Sequence, residues 1–357
     1  MTAPLAGVRI GHLGRQPGYT RDRIVAKTLR RAGADVVDLG DARRFPARWW
    51  TSARALQRES LDAVVVSTLS HADVPVDRLL ASRRRVPVVF DASIALYESL
   101  IESRGAARAG TPTAWWLALQ DRFACRLAHR VLVDTDAHRA YLAARTGTRA
   151  DRFTRLWLGA DDDVLQPRPG PSGGPFRVLF YATYSPLHGA EHIVRAAALL
   201  PRDREVEVLM VGSGHTDIAV RRLAQELGVT NIRFSPRVPF AELPALIAGS
   251  DVTLGVFGTV APAARVVPFK VFDGLAMARP VVTADTPAAR ETLVDGVHCR
   301  LTPPGDAAAL ADAILALHDD ARETTAMAGR GHDLYRERFS IDAQARDLGP
   351  AFRELVA

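Results

Sequence analysis

The stretch QPRPGPSGGP (166–175) decides the fold, because it separates two runs of the same strand–helix pattern. It holds four prolines and three glycines in ten residues, a composition that neither a helix nor a central strand tolerates. We therefore predict a linker at 166–175, between one domain at 1–165 and a second at 176–338. The last stretch, 339–357, has helical periodicity and no strand after it, so we expect it to pack back on the first domain.

Short apolar runs recur on both sides of the linker. They are VRIGHL (8–13), ADVVDLG (34–40), DAVVVST (62–68), VPVVF (86–90) and RVLVD (130–134) before it, and RVLFYA (177–182), EVEVLMVG (205–212) and VTLGVF (252–257) after it. Continuous rather than alternating apolar runs are typical of parallel strands covered on both faces. Amphipathic helical stretches lie between them, so the pattern predicts an α/β protein with two doubly wound, Rossmann-like domains. In such sheets ligands bind beyond the carboxyl ends of the strands.

Composition excludes several classes of protein. Of the 357 residues 48% are hydrophobic, yet no apolar run is long enough to span a bilayer, and the N-terminus lacks the pattern of a signal peptide. The two cysteines do not have metal-ligand spacing, so we expect no metal site and a cytoplasmic location. The net charge of +6 comes from arginines spread along the chain, so we expect no nucleic-acid partner.

Two tryptophan pairs leave a membrane or scaffold role open. Trp49-Trp50 follows ARRFPAR (42–48), and Trp115-Trp116 precedes DRFACRLAHR (121–130). Basic and aromatic residues in this pattern favour peripheral contact with a membrane, whereas such tryptophans are more often core or lid residues.

The segment at 252–291 is the richest in candidate site residues. A loop follows the strand, and a helix opens near Pro268, where free backbone N–H groups make a ready anion site. Arg265 and Lys270 add two positive charges, and Asp273 lies one helical turn after Lys270. These cations could neutralise a diphosphate and the carboxylate could bind a sugar diol. The alternative from spacing alone is a surface helix start with an ion pair.

This segment resembles the donor-binding region of the large retaining GT-B glycosyltransferase family, which includes sucrose-phosphate-synthase-like and mannosyltransferase-like enzymes. RVVPFKVFD (265–273) is similar to "R-V-I-P-N-K-x-x-E" of one subgroup, and LAMARPVV (275–282) to the family's "A-x-G-x-P-V-V". The resemblance implies that Asp273 contacts the ribose and that Arg265, where most members have Glu, holds the diphosphate with Lys270. It also implies donor contacts from the surrounding residues, Phe257, Gly258, Thr259, Val266 and Val267.

Three further stretches carry the resemblance in order along the second domain. YATYSPLHG (181–189) is similar to the family's phosphate loop, with His188 in the place of its Lys. His188 is therefore a candidate phosphate donor, the alternative being a helix N-terminal residue that bonds backbone. VGSG (211–214) implies close approach of Gly212 and Gly214 to the nucleotide, and the backbone of Arg237 and Val238 would face the base.

The first domain matches more loosely. RQPGYTRDR (15–23) follows the first strand and resembles a variant of the family's loop that faces the acceptor and diphosphate. Tyr19, Arg21 and Asp22 form a polar cluster there that suits sugar or phosphate, and Tyr19 and Arg21 are candidate acceptor contacts. Helix capping by Thr20 and Asp22 is the alternative. His71 and Asp91 follow predicted strands and are further candidates on the rim of the cleft, although each could be an ordinary turn or capping residue.

The resemblance implies a GT-B fold, with the two domains facing each other across a cleft, and transfer with retention of anomeric configuration. The co-substrate would be a nucleoside-diphosphate sugar, with no separate cofactor, and the acceptor a small molecule, glycan or lipid. The leaving diphosphate, held by Arg265 and Lys270, would be stabilised as its charge develops, without a metal. A nucleotide-sugar epimerase or a phosphorylase on the same fold is the alternative.

Overall fold

The computed structural model describes residues 3–14, 18–40 and 47–357. It forms two units, one comprising the described residues up to Leu158 together with Ile341–Ala357, the other Gly159–Ser340. The chain passes into the second unit at Gly159, ahead of the expected linker, so the Pro-rich stretch 166–175 lies within the second unit.

The first unit alternates strands and helices as its apolar runs predict. Its elements are β1 (Arg9–Leu13), α1 (Thr20–Arg31), β2 (Asp35–Asp38), α2 (Ala47–Arg58), β3 (Ala63–Val66), α3 (Val74–Ser82), β4 (Val88–Asp91), a π-helix (Glu98–Ser103), α4 (Pro112–Leu127), β5 (Arg130–Val133), α5 (Asp136–Thr146), β6 (Phe153–Arg155) and α13 (Ile341–Val356). The strands form one parallel sheet in the order β2-β1-β3-β4-β5-β6. The order reverses between β1 and β3, which is the topological switch point of this sheet.

Helices cover both faces of this sheet. Val25 and Leu29 of α1 share a buried cluster with Leu348 and Phe352 of α13. A second buried cluster contains one side chain from each of α2, α3, α4 and α5, packed against strand side chains of the sheet. These four are Leu56, Ala81, Ala124 and Leu142. Because both faces of the strands are covered, most side chains of the central strands are apolar, as in AVVV of β3 (Ala63–Val66). The C-terminal helix belongs to the first unit.

The second unit repeats the pattern. Its elements are β7 (Phe176–Ala182), α6 (Ala190–Leu199), β8 (Val206–Gly212), α7 (Asp217–Glu226), β9 (Ile232–Ser235), α8 (Leu243–Ala248), β10 (Val252–Leu254), α9 (Phe269–Ala276), β11 (Val281–Ala284), α10 (Pro287–Arg290), β12 (Arg300–Thr302), α11 (Ala307–Asp319) and α12 (Ala321–Leu334). The parallel sheet has the order β12-β11-β10-β7-β8-β9. Its switch point lies between β7 and β10.

Two local predictions need correction. The run VTLGVF predicted a strand to Phe257, but β10 ends at Leu254, and Val256 and Phe257 continue as buried loop. A Cβ at Gly255 would lie 2.2 Å from Thr283 Oγ1, so only glycine fits where the chain leaves the sheet. At α1 the N-cap residue is Tyr19, and no side chain caps this helix end, so Thr20 and Asp22 do not have the capping role that was the alternative for them.

Candidate functional site

The second unit joins the loops that follow β7 and β10 at its switch point. Gly189 has φ of 63°, in the left-handed region that favours glycine, and a Cβ there would lie 2.4 Å from Gly258 N. The amides of Phe257 and Gly258 donate to the carbonyls of His188 and Leu187, at 3.1 and 3.2 Å. Close backbone approach between these loops therefore depends on both glycines.

The loop after β8 closes on the same edge. A Cβ at Gly212 would lie 2.0 Å from the Ala182 carbonyl oxygen, and one at Gly214 would lie 2.2 Å from that of Thr183. Gly212 and Gly214 thus permit the contact between β7 and β8 loops. The loops that follow the three adjacent strands β10, β7 and β8 meet at one edge, where the first turn of α6 also begins. We call this meeting of Pro186–Gly189, Gly212–Gly214 and Phe257–Gly258 the glycine seam.

Lys270, in the first turn of α9, is buried, with 5% of its surface exposed. Its ammonium Nζ has no hydrogen-bond partner among the described residues and lies 4.6 Å from the centre of the Phe180 ring. A cation over a ring recovers only part of the cost of leaving water. Burial lowers the pKa of Lys270 to about 7, and the attraction of Asp273 opposes that shift. A bound anion would supply the hydrogen-bond acceptor that this buried amine lacks among the described residues.

Asp273, one turn further along α9, is equally buried. The Tyr181 hydroxyl, at the end of β7, donates to its Oδ2 at 2.7 Å. Burial raises the pKa of Asp273 to about 7, against the lowering effects of Tyr181 and Lys270, and burial also raises the pKa of Tyr181 well above its usual value. A lysine whose pKa falls and a carboxyl whose pKa rises mark a site from which water is excluded.

His188 ends the short 3-10 turn that opens the glycine seam. Its Nδ1 accepts a hydrogen bond from the Ser185 amide at 3.1 Å and lies 2.9 Å from Ser185 Oγ. Because Nδ1 accepts from an amide, the neutral ring carries its proton on Nε2. The ring also packs edge-on against Phe180, with centroids 6.4 Å apart. Phe180 is thus a common neighbour of His188 and Lys270.

The other predicted donor residues surround the glycine seam or lie at the next loop. Arg265 is half-buried at the end of a 3-10 turn, Ala261–Arg265, and Val267 is buried after it. Thr259 is exposed, and its methyl group lies under Gly305, where a Cβ would approach it to 2.7 Å. Of the remaining predicted residues, Val266 is half-buried. In the loop after β9, Arg237 is exposed and Val238 is half-buried.

In the first unit, Arg21 and Asp91 bind each other. The fully buried guanidinium donates from Nε to Asp91 Oδ2 at 2.8 Å and from Nη1 to the Trp157 carbonyl at 2.7 Å. Asp91 Oδ1 also accepts from the Ser93 amide. This pair ties α1 to the end of β4, and its burial argues against direct ligand contact by Arg21. Tyr19, half-buried beside it, has a pKa raised to about 12 by burial and by Asp91.

His71 likewise has an internal partner. Its Nε2 lies 3.2 Å from Asp121 Oδ1, and both side chains are 1% exposed. Burial lowers the pKa of His71 to about 3 and raises that of Asp121 to about 6, so the imidazole is neutral and donates to the carboxylate. The amides of Leu96 and Tyr97 also donate to Asp121. His71 therefore anchors α4 beneath the end of β3.

Sequence reasoning missed two members, His12 and Ser67, of a polar group at the switch point of the first sheet. His12, in β1, lies 3.0 Å from the hydroxyl of Ser67, which directly follows β3. Asp22 hydrogen-bonds Ser67 as well, and its buried Oδ1 has no partner. Burial and the charge of Asp91 raise the pKa of Asp22 to about 7. Polar residues at the carboxyl ends of predicted strands were the available signal for His12 and Ser67, as for Tyr181 in the second unit.

Two features are absent from the described residues. No helix among them is both long and apolar enough to cross a bilayer. Likewise, residues 3–14, 18–40 and 47–357 contain no group of His, Cys, Asp and Glu with the arrangement of a metal site.

The fold matches solved glycosyltransferases. The structure of Anabaena HepE in complex with UDP-glucose covers 97% of this chain and 99% of its own, with a TM-score of 0.73 at 18% identity. The sucrose-phosphate synthase of Thermosynechococcus elongatus gives a TM-score of 0.74 at 16% identity, covering 98% of this chain and 99% of that one. The chain has two parallel six-stranded sheets and matches these glycosyltransferase structures over nearly its whole length. It therefore has the GT-B fold.

The sequence comparisons then give the family. Residues 175–320 match the family "Glycosyl transferases group 1". The chain is 25% identical over 288 residues to alpha-D-kanosaminyltransferase of Streptomyces kanamyceticus, covering 76% of this chain and 71% of that protein. It is 32% identical over 186 residues to phosphatidyl-myo-inositol mannosyltransferase of Mycobacterium leprae, covering 48% of this chain and 46% of that protein. The chain is a glycosyltransferase with the GT-B fold, and the region that matches the group 1 family, residues 175–320, lies in its second unit.

Proposed function

We infer that the chain transfers a sugar, with retention of configuration, from a nucleoside-diphosphate sugar to a hydroxyl of a small-molecule, glycan or lipid acceptor. The observation that carries this proposal is the buried Lys270 ammonium, which has no hydrogen-bond partner in the described part of the chain. A diphosphate supplies the negative charge that this amine lacks. The UDP-glucose complex of HepE, which shares the fold, supports a nucleotide sugar as the donor. We place the reaction in the cytoplasm.

Backbone groups favour the same ligand. The glycine seam brings three loops to the edge where α6 begins, and the first amides of a ten-residue helix have no intrahelical acceptor. Such a helix end stabilises a phosphate through both its N–H groups and its dipole. Lys270, Arg265 and the Nε2–H of His188 then add side-chain donors, and Asp273 supplies a carboxylate for a sugar hydroxyl. These residues do the work without a metal.

In the reaction the acceptor oxygen forms a bond to the anomeric carbon as the bond from that carbon to the β-phosphate oxygen breaks. The acceptor proton passes to the departing phosphate oxygen on the same face, so that configuration is retained. Negative charge grows on the diphosphate during this step, and Lys270 and Arg265 stabilise it there. No protein nucleophile is needed, because positioning and charge stabilisation supply the rate enhancement.

The acceptor side rests on the first unit. His12, Ser67 and Asp22 form a hydrogen-bonded group at its switch point, and Asp22 Oδ1 lacks a partner. A carboxyl and an imidazole at this place can accept hydrogen bonds from acceptor hydroxyls, whereas Arg21 and Asp91 hold the group in place. Tyr19, which is half-buried, completes the set.

A thermal-shift panel of nucleoside diphosphates and nucleotide sugars tests the proposal. A true donor raises the melting temperature, because it binds the folded state alone. Replacing Lys270 with Met should remove this shift and lower transfer by about 100-fold or more, the scale for losing one contact to developing charge. Arg265→Ala should cost tens- to thousands-fold for the same reason.

The chain offers a matched control, since Lys27 is its other lysine and lies on α1 of the first unit. Lys27→Met should leave the ligand-induced shift intact. The unliganded Lys270→Met protein should be at least as stable as wild type, because a buried charge without a partner has been removed. If it keeps full nucleotide binding and turnover, the assignment of the donor site is wrong. Release of nucleoside diphosphate without acceptor would instead point to an epimerase.

A further inference from the structure

Helix α4 of the first unit exposes large aromatic side chains. Trp115 is 71% exposed, Trp116 59% and Phe123 49%, and all three lie on the side of the helix away from the sheet. Ala114, Leu117, Ala124 and Cys125 form the opposite, buried side. The helix therefore has two apolar faces, only one of which is covered. Proteins in water rarely expose such a cluster without a use for it.

The neighbouring helices extend this surface. Helix α3 packs between α2 and α4, and each of the three lies on the same side of the first sheet. Trp50 of α2 is 71% exposed and Leu79 of α3 is 63% exposed. We call the exposed side of α2, α3 and α4 the aromatic face. Residues 42–46 of the basic stretch that precedes Trp49 lie outside the described residues.

All exposed charge on the described part of these helices is positive. Asp77 and Asp121 are the acidic residues within α2, α3 and α4, and each is 1% exposed. Asp121 is satisfied from inside by His71 and two amides. The exposed arginines are Arg54, Arg58, Arg122 and Arg126, with Arg83 and Arg85 in the turn after α3. The aromatic face therefore combines apolar rings with uncompensated positive charge.

We propose that the aromatic face docks the protein on an anionic lipid bilayer. Indole rings prefer the boundary between headgroups and acyl chains, and arginines beside them bind lipid phosphates. An aqueous environment alone gives no reason for large apolar side chains to be exposed on one side of three helices while every carboxylate within these helices is buried. Docking would be peripheral, and it adds to the transferase activity without depending on which donor or acceptor that activity uses.

Co-sedimentation of the full chain with vesicles tests the proposal. The protein should bind phosphatidylcholine vesicles that contain phosphatidylglycerol, bind pure phosphatidylcholine far less, and dissociate as salt rises. Arg122→Glu with Arg126→Glu should lower the partition coefficient by about 30-fold or more, since each basic residue near an anionic surface strengthens binding about five-fold. Trp115→Ser with Trp116→Ser should abolish binding at physiological salt.

Matched substitutions in the second unit serve as controls. Ile218 is 85% exposed, and Arg195 and Arg322 are exposed as well. One control variant carries Ile218→Ser, and the other carries both Arg195→Glu and Arg322→Glu. Both controls should leave vesicle binding unchanged. Melting temperatures of all variants distinguish a loss of docking from a loss of folding. If the protein with Trp115→Ser and Trp116→Ser does not fold, the variant with Arg122→Glu and Arg126→Glu still tests the proposal. The proposal is overturned if wild type does not bind anionic vesicles, if the α4 variants bind like wild type, or if the face captures an acidic protein without binding lipid.

Discussion

At the scale of single residues, the protein keeps ionisable groups where water cannot reach them. Lys270 and Asp273 have pKa values shifted towards the neutral forms because burial penalises their charges. His138 is the opposite case, since neighbouring carboxylates hold it charged. Both arrangements make a property of the protein depend on pH, donor binding in the case of Lys270 and stability in the case of His138.

Donor affinity should fall as pH rises above 7. In the free protein burial lowers the pKa of Lys270 to about 7, and a bound diphosphate would raise it again, so binding takes up a proton. Affinity for a nucleotide sugar should then be greatest below pH 7 and fall up to roughly ten-fold per unit above it. Calorimetric titration in buffers of different ionisation enthalpy measures the proton uptake. Lys270→Met should show none, and an uptake equal to that of wild type would contradict the assignment.

His138 should stabilise the first unit only while it carries a proton. Burial alone would lower its pKa, but Asp134 at 2.7 Å and Glu98 at 3.1 Å raise it to about 10. This contribution is fully present below pH 6.5, the value for the unfolded chain, and is lost as pH rises towards 10. His138→Gln should cost roughly 2–5 kcal/mol at pH 6 and much less near pH 10. Urea unfolding across this range measures it; a pH-independent difference would disprove the ion pair.

At the scale of elements, the glycine seam positions the loops of the second sheet. Gly258→Ala would place a methyl group 2.3 Å from the Pro186 carbonyl oxygen, so the loop after β7 would have to move. We expect about ten-fold or more weaker nucleotide binding with a loss of stability of roughly 1–3 kcal/mol. Gly329→Ala, on α12, meets nothing within 4 Å and is the matched control, which should be neutral or slightly stabilising. Equal nucleotide binding by both variants would refute the role of the glycine seam.

At the scale of the whole molecule, donor binding and lipid docking are assigned to different units. A nucleoside diphosphate at a hundred times its Kd should slow amide exchange about 100-fold in segments whose opening breaks the site. We expect this protection in residues 181–190, 212–216 and 257–275 and no comparable effect in α2 to α4. Hydrogen exchange read by mass spectrometry checks it, and absence of protection at 257–275 would remove the proposed site from α9. Vesicles should give the reverse pattern.

The sequence by itself determined the strand order along the chain and the class of fold. Apolar runs and helical periodicity are local properties, so the quoted runs predicted β1 to β5, β7, β8 and β10 closely, although β10 ended early at Leu254. The three-residue strands β6 and β12 were not predicted, because they are too short to give a distinct apolar run. The same strand-end rule drew attention to Lys270, Asp273, Arg265 and His188, because these lie within loops or helix starts that follow strands. Their functional roles stay predictions, tested by the substitutions above.

Only the tertiary structure decided which of these groups meet. Tyr181 is 92 residues from Asp273, and Arg21 is 70 residues from Asp91, yet each pair is hydrogen-bonded. Parallel strands bring distant segments to one edge of a sheet, and no periodicity in the sequence specifies which side chains then face each other. Burial is likewise a property of the packed chain, and it leaves the Lys270 ammonium with no hydrogen-bond partner among the described residues, which gives it a reason to bind an anion.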